Sequence, residues 1–298
     1  MLNVQESLDS RDWHDVIRDA LGSSVRTSIP VSGGDIGQSL RVELDDGRSV
    51  FVKRYPGACA GLAEAEARGL EWLARPNALR VARPIAHGED WIVVEWIESA
   101  PAAPDYPERL GRGLARLHET APSRFGLEHD GWLATIPQSN RCHETWARFY
   151  AEERLLPLTE RASEQGLLPL RARDRLRALC DQMECHVGPP EPPARLHGDL
   201  WSGNLLCDEH GHPCLIDPAA YAGHREVDLA MMALFGGFPR SVFDAYTAES
   251  PLAPGAAGRI PLYQLWPLLV HVCLFGRSYL GRVEACLDAV LDREEPHS

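Results

Sequence analysis

Lysine is almost absent from this chain. Of its 30 basic residues only Lys53 is a lysine, and the other 29 are arginines. A sequence that uses arginine wherever a surface cation suffices, yet keeps one lysine, marks a position suited to a compact, rotatable ammonium. Long hydrophobic runs are missing as well. The longest, residues 262–275, is about half a membrane span and is broken by Gln264, Pro267 and His271, so a transmembrane helix there is excluded. The opening MLNVQESLDSRDW turns polar before an apolar signal core could form, so no secretory leader is expected and the cytoplasm is the expected compartment. No Cys-x-x-Cys pair or His/Cys cluster at zinc-finger spacing occurs, which argues against a zinc site. The eight scattered cysteines allow disulfides by their even number, but without a leader the expectation is reduced, mostly buried thiols. Positive charge is scarce, and the formal net charge of −13 argues against non-specific binding to nucleic acid or anionic membranes.

The 298 residues, 44% hydrophobic and 24% charged, are ordinary globular material and enough for two lobes. Nothing in them demands more than a monomer. Residues 39–44 and 48–55 read as strands joined by the turn Asp45-Asp46-Gly47. Period-two alternation puts Phe51, Lys53 and Tyr55 on one face and Val50 and Val52 on the other. Before them lies Gly33-Gly34-Asp35-Ile36-Gly37. Such a glycine run is either a plain hairpin turn or a loop whose backbone N–H groups approach a phosphate. A lysine on the sheet face beneath it favours the second reading. Residues 61–75 form a helix pattern with Glu66 among its apolar positions. Glu66 either pairs with Lys53 or reaches to solvent at the helix edge. Residues 91–97, WIVVEWI, read as a buried strand that enters the Pro/Ala-rich stretch SAPAAPDYP. A boundary near residue 98 is expected, with domains over 1–98 and 99–298. The second part reads as helices over 106–119, 145–164, 171–187, 226–235 and 263–292.

The most specific segment is LHGDLWSGNLL, residues 196–206, followed by a turn and CLID, residues 214–217. If 205–207 pairs antiparallel with 214–216 so that residue 206 faces 215, Asn204 faces Asp217, with α-carbons about 5 Å apart. An amide oxygen and a carboxylate so placed can hold one magnesium ion that keeps other positions for water and phosphate. Asp199, outside the hairpin, can face an acceptor hydroxyl and take its proton.

The order of Gly loop, Lys53, Glu66, hinge, H-G-D-x-x-x-x-N and I-D resembles the kinase-like phosphotransferases, which include aminoglycoside and choline kinases. The narrower similarity is to the fructosamine (ketosamine-3-) kinases. It is carried by residues 196–206, by DPAAYAGHREVDLAMMALFGGFP (217–239) and by FGLEHDGWLATIPQSN (125–140) with Trp146 and Phe149 following. The resemblance implies an α+β, two-lobed protein-kinase-like fold with a five-stranded sheet in the small lobe and a helical large lobe. It implies ATP and magnesium as cofactors. Gly33 and Gly34 would belong to the phosphate loop, and adenine would meet the backbone of Glu95, Trp96 and Ile97. Lys53, held by Glu66, would bind the α/β-phosphates. Asp199 would be the base, and Asn204 and Asp217 the metal ligands. The acceptor implied is a ketosamine, free or on a protein amine, phosphorylated on a sugar hydroxyl (the 3-hydroxyl in characterised members) in support of deglycation. Trp201 either stacks on that sugar or packs the large lobe. Asp228 would hydrogen-bond the catalytic-loop backbone, His224 would join it there or be structural, and His197 and His118 would be structural. Gly37 stands where many relatives carry Asn or Ser, and Asp35 where some carry a cysteine. An aminoglycoside or amino-alcohol kinase, and a non-catalytic nucleotide-binding scaffold, are the competing expectations.

Overall fold

The computed structural model describes residues 2–3, 13–31, 37–55, 60–120 and 122–292. Gly33, Gly34 and Asp35 lie outside the described residues. The N-terminal part contains β1 (Leu2–Asn3), α1 (Trp13–Leu21), β2 (Val25–Pro30), β3 (Gln38–Leu44), β4 (Ser49–Arg54) and α2 (Leu62–Ala74). It continues with β5 (Arg80–Val81), β6 (Pro84–His87) and β7 (Trp91–Glu95). Six strands form one sheet in the order β1-β6-β7-β4-β3-β2, one more than the expected five, because Leu2–Asn3 pairs parallel with β6.

The alternation in β4 sorts its side chains as the sequence pattern requires. Val50 and Val52 are buried with Val16 and Ile17 of α1 on one face, while Tyr55 packs with Leu62, Ala67 and Leu70 of α2 on the other. The β3–β4 turn closes at Gly47, φ 86°, with the Arg48 N–H donating to Asp46 Oδ1 at 3.0 Å. Burying each large apolar side chain of α2 contributes roughly 1.5–3 kcal/mol, which fixes this helix against the sheet.

After residues 96–105, which form neither helix nor strand, come α3 (Tyr106–His118), the hairpin β8 (Gly131–Leu133) and β9 (Ile136–Gln138), and α4 (Trp146–Phe149). A π-helical stretch, Tyr150–Leu155, joins α4 to α5 (Leu156–Glu164). Next are α6 (Leu170–Asp181), α7 (Met183–His186), β10 (Ala194–Leu196), β11 (Leu205–Cys207), β12 (Pro213–Leu215) and β13 (Tyr221–Gly223). The chain continues with α8 (Glu226–Phe235), α9 (Arg240–Glu249), α10 (Ala256–Phe275) and α11 (Leu280–Leu291). Two of the expected helices need correction. The one expected over 171–187 is interrupted at Gln182. The one expected over 263–292 is two helices, starting at Ala256 and separated at Gly276, whose φ of 81° ends α10. The helix α9 was not anticipated.

No helix of the described residues is long and apolar enough to cross a membrane. The seven described cysteines are unpaired, but Cys142 and Cys185 are exposed, so the thiols are less uniformly buried than expected.

Candidate active site

Three pieces of backbone converge on one cleft. The pair β10–β13, in which Leu196 faces Tyr221, frames the loop that follows β10. The His197 carbonyl accepts from the Ala219 N–H at 2.9 Å. Gly198 adopts φ 81°, and a β-carbon there would stand 2.1 Å from the Ala219 carbonyl oxygen, so only glycine fits. Asp228, in the first turn of α8, accepts from the N–H groups of His197 (2.8 Å) and Gly198 (2.9 Å). The same carboxylate meets His118 Nε2 at 3.2 Å, and His118 Nδ1 meets the Tyr246 hydroxyl at 2.8 Å. His118 therefore closes a buried chain that sets Asp228. His197 bridges the loop to the end of β12: its Nε2 lies 2.9 Å from the Ile216 carbonyl, and its Nδ1 accepts from the Asp199 N–H at 3.3 Å.

The hairpin register differs from expectation. Leu205 faces Leu215 and Leu206 faces Cys214, so Asn204 lies opposite Ile216, whose N–H donates to the Asn204 carbonyl at 3.1 Å. Asp217 nevertheless enters the cleft, because its backbone turns at φ 54° just beyond the strand. Asn204 Nδ2 donates to Asp199 Oδ2 at 2.9 Å and to the Asp199 carbonyl at 2.8 Å. The amide oxygen is thereby left as a hard acceptor beside Asp217.

On the sheet side, Lys53 is 7% exposed and its Nζ reaches both Glu66 Oε2 (3.4 Å) and Asp217 Oδ1. The Tyr55 hydroxyl donates to the same Glu66 oxygen. Burial alone would lower the lysine's pKa, but Glu66 and Asp217 outweigh it and hold the ammonium charged. Burial would raise Asp217, and Lys53 overrides that to keep it below the usual range. Asp199 is pushed up to about 7 by burial first and by the Asp217 charge second. Two carboxylates of one cleft thus differ in proton affinity.

Trp201 is 38% exposed and lies over Gly203, where a β-carbon would stand 2.2 Å from the indole ring. Its ring separates two spaces. One, of about 320 Å³, runs from the hinge residues Glu95, Trp96 and Ile97 to Asn204 and Asp217. The other, of about 290 Å³, holds Asp199 and is walled by the β8–β9 hairpin, α8 and α10. At the hinge, the Glu95 carboxylate accepts from the Arg83 N–H at 2.9 Å, and the Trp96 ring lies under the Arg41 guanidinium at 4.7 Å. Both side chains are thus engaged outside the cleft. The Glu95 N–H donates to the Arg83 carbonyl, which leaves the Glu95 carbonyl and the backbone of Trp96 and Ile97 for the expected adenine contact. His224 does not join the catalytic loop. It stacks on Tyr263 (centroids 5.4 Å apart) and accepts from the Glu226 N–H at 3.3 Å. Gly37 has φ 93° with no room for a β-carbon beside the Arg54 carbonyl, which accounts for glycine at that position.

Tyr55, His118 in its contact with Asp228, and the acceptor-side wall were not identified from sequence. The wall's only sequence signal is the strand–turn–strand WLATIPQ.

The fructosamine kinase family model matches residues 10–293. A probable ketoamine kinase of Enterococcus faecium is 37% identical over 265 residues, covering 87% of this chain and 94% of its own. The crystal structure of a Thermobifida fusca protein named for fructosamine-3-kinase superposes with a TM-score of 0.88 at 40% identity, covering 94% of this chain and 99% of that one. A choline kinase of Streptococcus pneumoniae shares the fold alone, with a TM-score of 0.64 at 15% identity over 96% and 100% of the two chains. The architecture is the kinase-like fold, and the chain belongs to the fructosamine kinase family.

Proposed function

We propose that this protein transfers the γ-phosphoryl group of magnesium ATP to a sugar hydroxyl of a ketosamine. The observation that carries the reading is the convergence of Lys53–Glu66, Asp199, Asn204 and Asp217 on one cleft, with an acceptor space opening on the far side of Asp199. The two lobes divide near residue 98. Adenine occupies the space bordered by the hinge, against Phe51, Val94, Leu206 and Ile216. Lys53, kept charged by its two carboxylates, binds the phosphates. The donor set suits magnesium: one carboxylate and one amide oxygen, both hard, with few protein ligands so that waters and phosphate oxygens complete the shell. Asn204 and Asp217 would hold it, and it would neutralise charge on the transferring phosphate.

Asp199 orients the acceptor hydroxyl and takes its proton as the oxygen bonds phosphorus. A carboxylate lifted to about 7 is a better proton acceptor than an ordinary aspartate and is still half ionised at neutral pH. Asp228 and His118 keep the loop rigid beneath it. Trp201 lays its face along the sugar carbons. Phosphorylation destabilises the adduct, so that the amine is regained.

The names borne by the relatives support a ketosamine acceptor. The aminoglycoside alternative fits the site less well, because a polycation calls for several carboxylates and Asp199 is the only acid among the described residues that line the acceptor space. A coupled ADP-release assay with fructose-, ribulose- and erythrulose-lysine beside kanamycin and choline tests the proposal. Ketosamine-dependent ADP release is expected, and turnover with kanamycin or choline alone would overturn it.

A further inference from the structure

Five large hydrophobic side chains among the described residues are exposed, and three of them, Trp201, Phe235 and Phe275, line the same space beyond Asp199. Their exposures are 38%, 37% and 51%. Leaving such surface in water is unfavourable, and concentrating it at one concave site beside a reacting group is the pattern of a ligand pocket rather than of scattered surface residues. The aromatic shelf is ordered from within. His271 sits between Phe235 (centroids 5.1 Å apart), Phe275 (5.4 Å) and Tyr279 (4.8 Å), and its Nδ1 donates to the Pro267 carbonyl at 2.7 Å. Among the described residues no lysine or arginine lines the space, and the one carboxylate that does is Asp199.

We propose that this shelf is the subsite for the amine side of the acceptor, and that it selects ketosamines of apolar amines against those with a carboxylate next to the nitrogen. The inference rests on the ketosamine reading and deepens it. With the sugar between Trp201 and Asp199, the group on the amine nitrogen continues along the same space toward Phe235 and Phe275. An alkyl or aryl group there removes apolar surface from water on both partners. A carboxylate there meets no cation, loses hydration, and stands near the Asp199 charge. Phe235 and Phe275 are then specificity-determining residues.

The test uses the full-length protein and fructose adducts of methylamine, hexylamine, benzylamine and glycine, measured both by ADP release and by calorimetric binding without ATP. We expect KM and Kd to fall about tenfold or more from the methylamine to the hexylamine and benzylamine adducts, each buried methylene adding up to about fourfold. The glycine adduct is expected to be the weakest. In Phe275→Ala and in Phe235→Ser the hexyl-to-methyl ratio should shrink toward one. That ratio is internal to each variant, so a general loss of activity does not imitate it. Equal constants across the series, or an unchanged ratio in both variants, would overturn the inference while leaving ketosamine phosphorylation intact. A chain-length dependence in binding without any ADP release would support the subsite and contradict the phosphorylation reading instead.

Discussion

At the scale of single residues, the site rests on unequal treatment of similar groups. Lys53 is buried between two carboxylates and lies 5.3 Å from the Tyr55 ring centroid, a space cut for an ammonium. A guanidinium is wider and planar and would have to displace Tyr55 or Glu66. Lys53→Arg is therefore expected to raise KM for ATP by about tenfold or more in steady-state kinetics although charge is conserved. Wild-type kinetics would show that the solitary lysine has no such role. His224 gives a pH-dependent expectation. Burial lowers its pKa to about 4 from an ordinary value of 6.5, so the unfolded chain binds a proton between those values that the folded chain refuses. Stability is complete above about pH 6.5 and falls as pH drops toward 4; from pH 7 to pH 5 this residue removes about 2 kcal/mol. Urea unfolding at the two pH values should show His224→Asn losing correspondingly less than wild type.

Lys53, Glu66, Asp199, Asn204 and Asp217 were all legible in the sequence. Each breaks a local pattern: a lone lysine, an acid on an apolar stripe, polar residues around a short hairpin. His118 on Asp228 was not legible as a contact, because it joins positions 110 residues apart that carry no mark of each other. The Tyr55 hydroxyl was missed for a related reason, since alternation gives the face of a side chain and not the partner of its polar tip.

At the scale of elements, the helix Glu226–Phe235 was read to the residue, because a carboxylate-rich first turn opens it and Gly236, φ 71°, closes it. The start of α10 was hidden by Pro261, which lies inside the helix and which sequence reading treats as a breaker. The hairpin register was misjudged by one residue, since a three-residue strand offers too little alternation to fix it. Two features escape any local pattern. The π-helical stretch exists where Arg154, fully buried, stacks on Tyr221 at 4.0 Å and donates to the Ser139 carbonyl and to Asn140 Oδ1, both at 2.7 Å, holding the end of the β8–β9 hairpin. The helix α9 is defined by its packing on α3 rather than by its own sequence. At Gly111 of α3 a β-carbon would lie 2.3 Å from the Val242 carbonyl oxygen. Gly111→Val should force the two helices apart and cost about 3 kcal/mol, read as a lower urea midpoint with an unchanged slope. A neutral substitution would show that the approach is not tight.

At the scale of the whole molecule, the two parts of the chain are stitched behind the cleft. Strand β5, from the N-terminal part, pairs parallel with β12, the strand that leads into Asp217. Arg80 on β5 reaches Asp208 at 3.0 Å and Glu209 at 2.6 Å beyond β11, and Glu95 at the hinge at 3.7 Å. Residues 95–97, β4 and β12 are therefore parts of one framework, with Trp201 bordering the two spaces on either side of it. On the function proposed above, this framework delivers a phosphoryl group to a ketosamine hydroxyl with Asp199 as the base. Phosphorus NMR of a reaction containing the protein, magnesium ATP and ribulose-lysine tests it most directly. One new phosphate-monoester resonance coupled to a sugar proton is expected, abolished by EDTA and slowed about 10³-fold in Asp199→Asn while that variant still binds ATP. Inorganic phosphate and ADP as the only new signals with the ribulose-lysine unconsumed, or an undiminished sugar phosphate from Asp199→Asn, would contradict it.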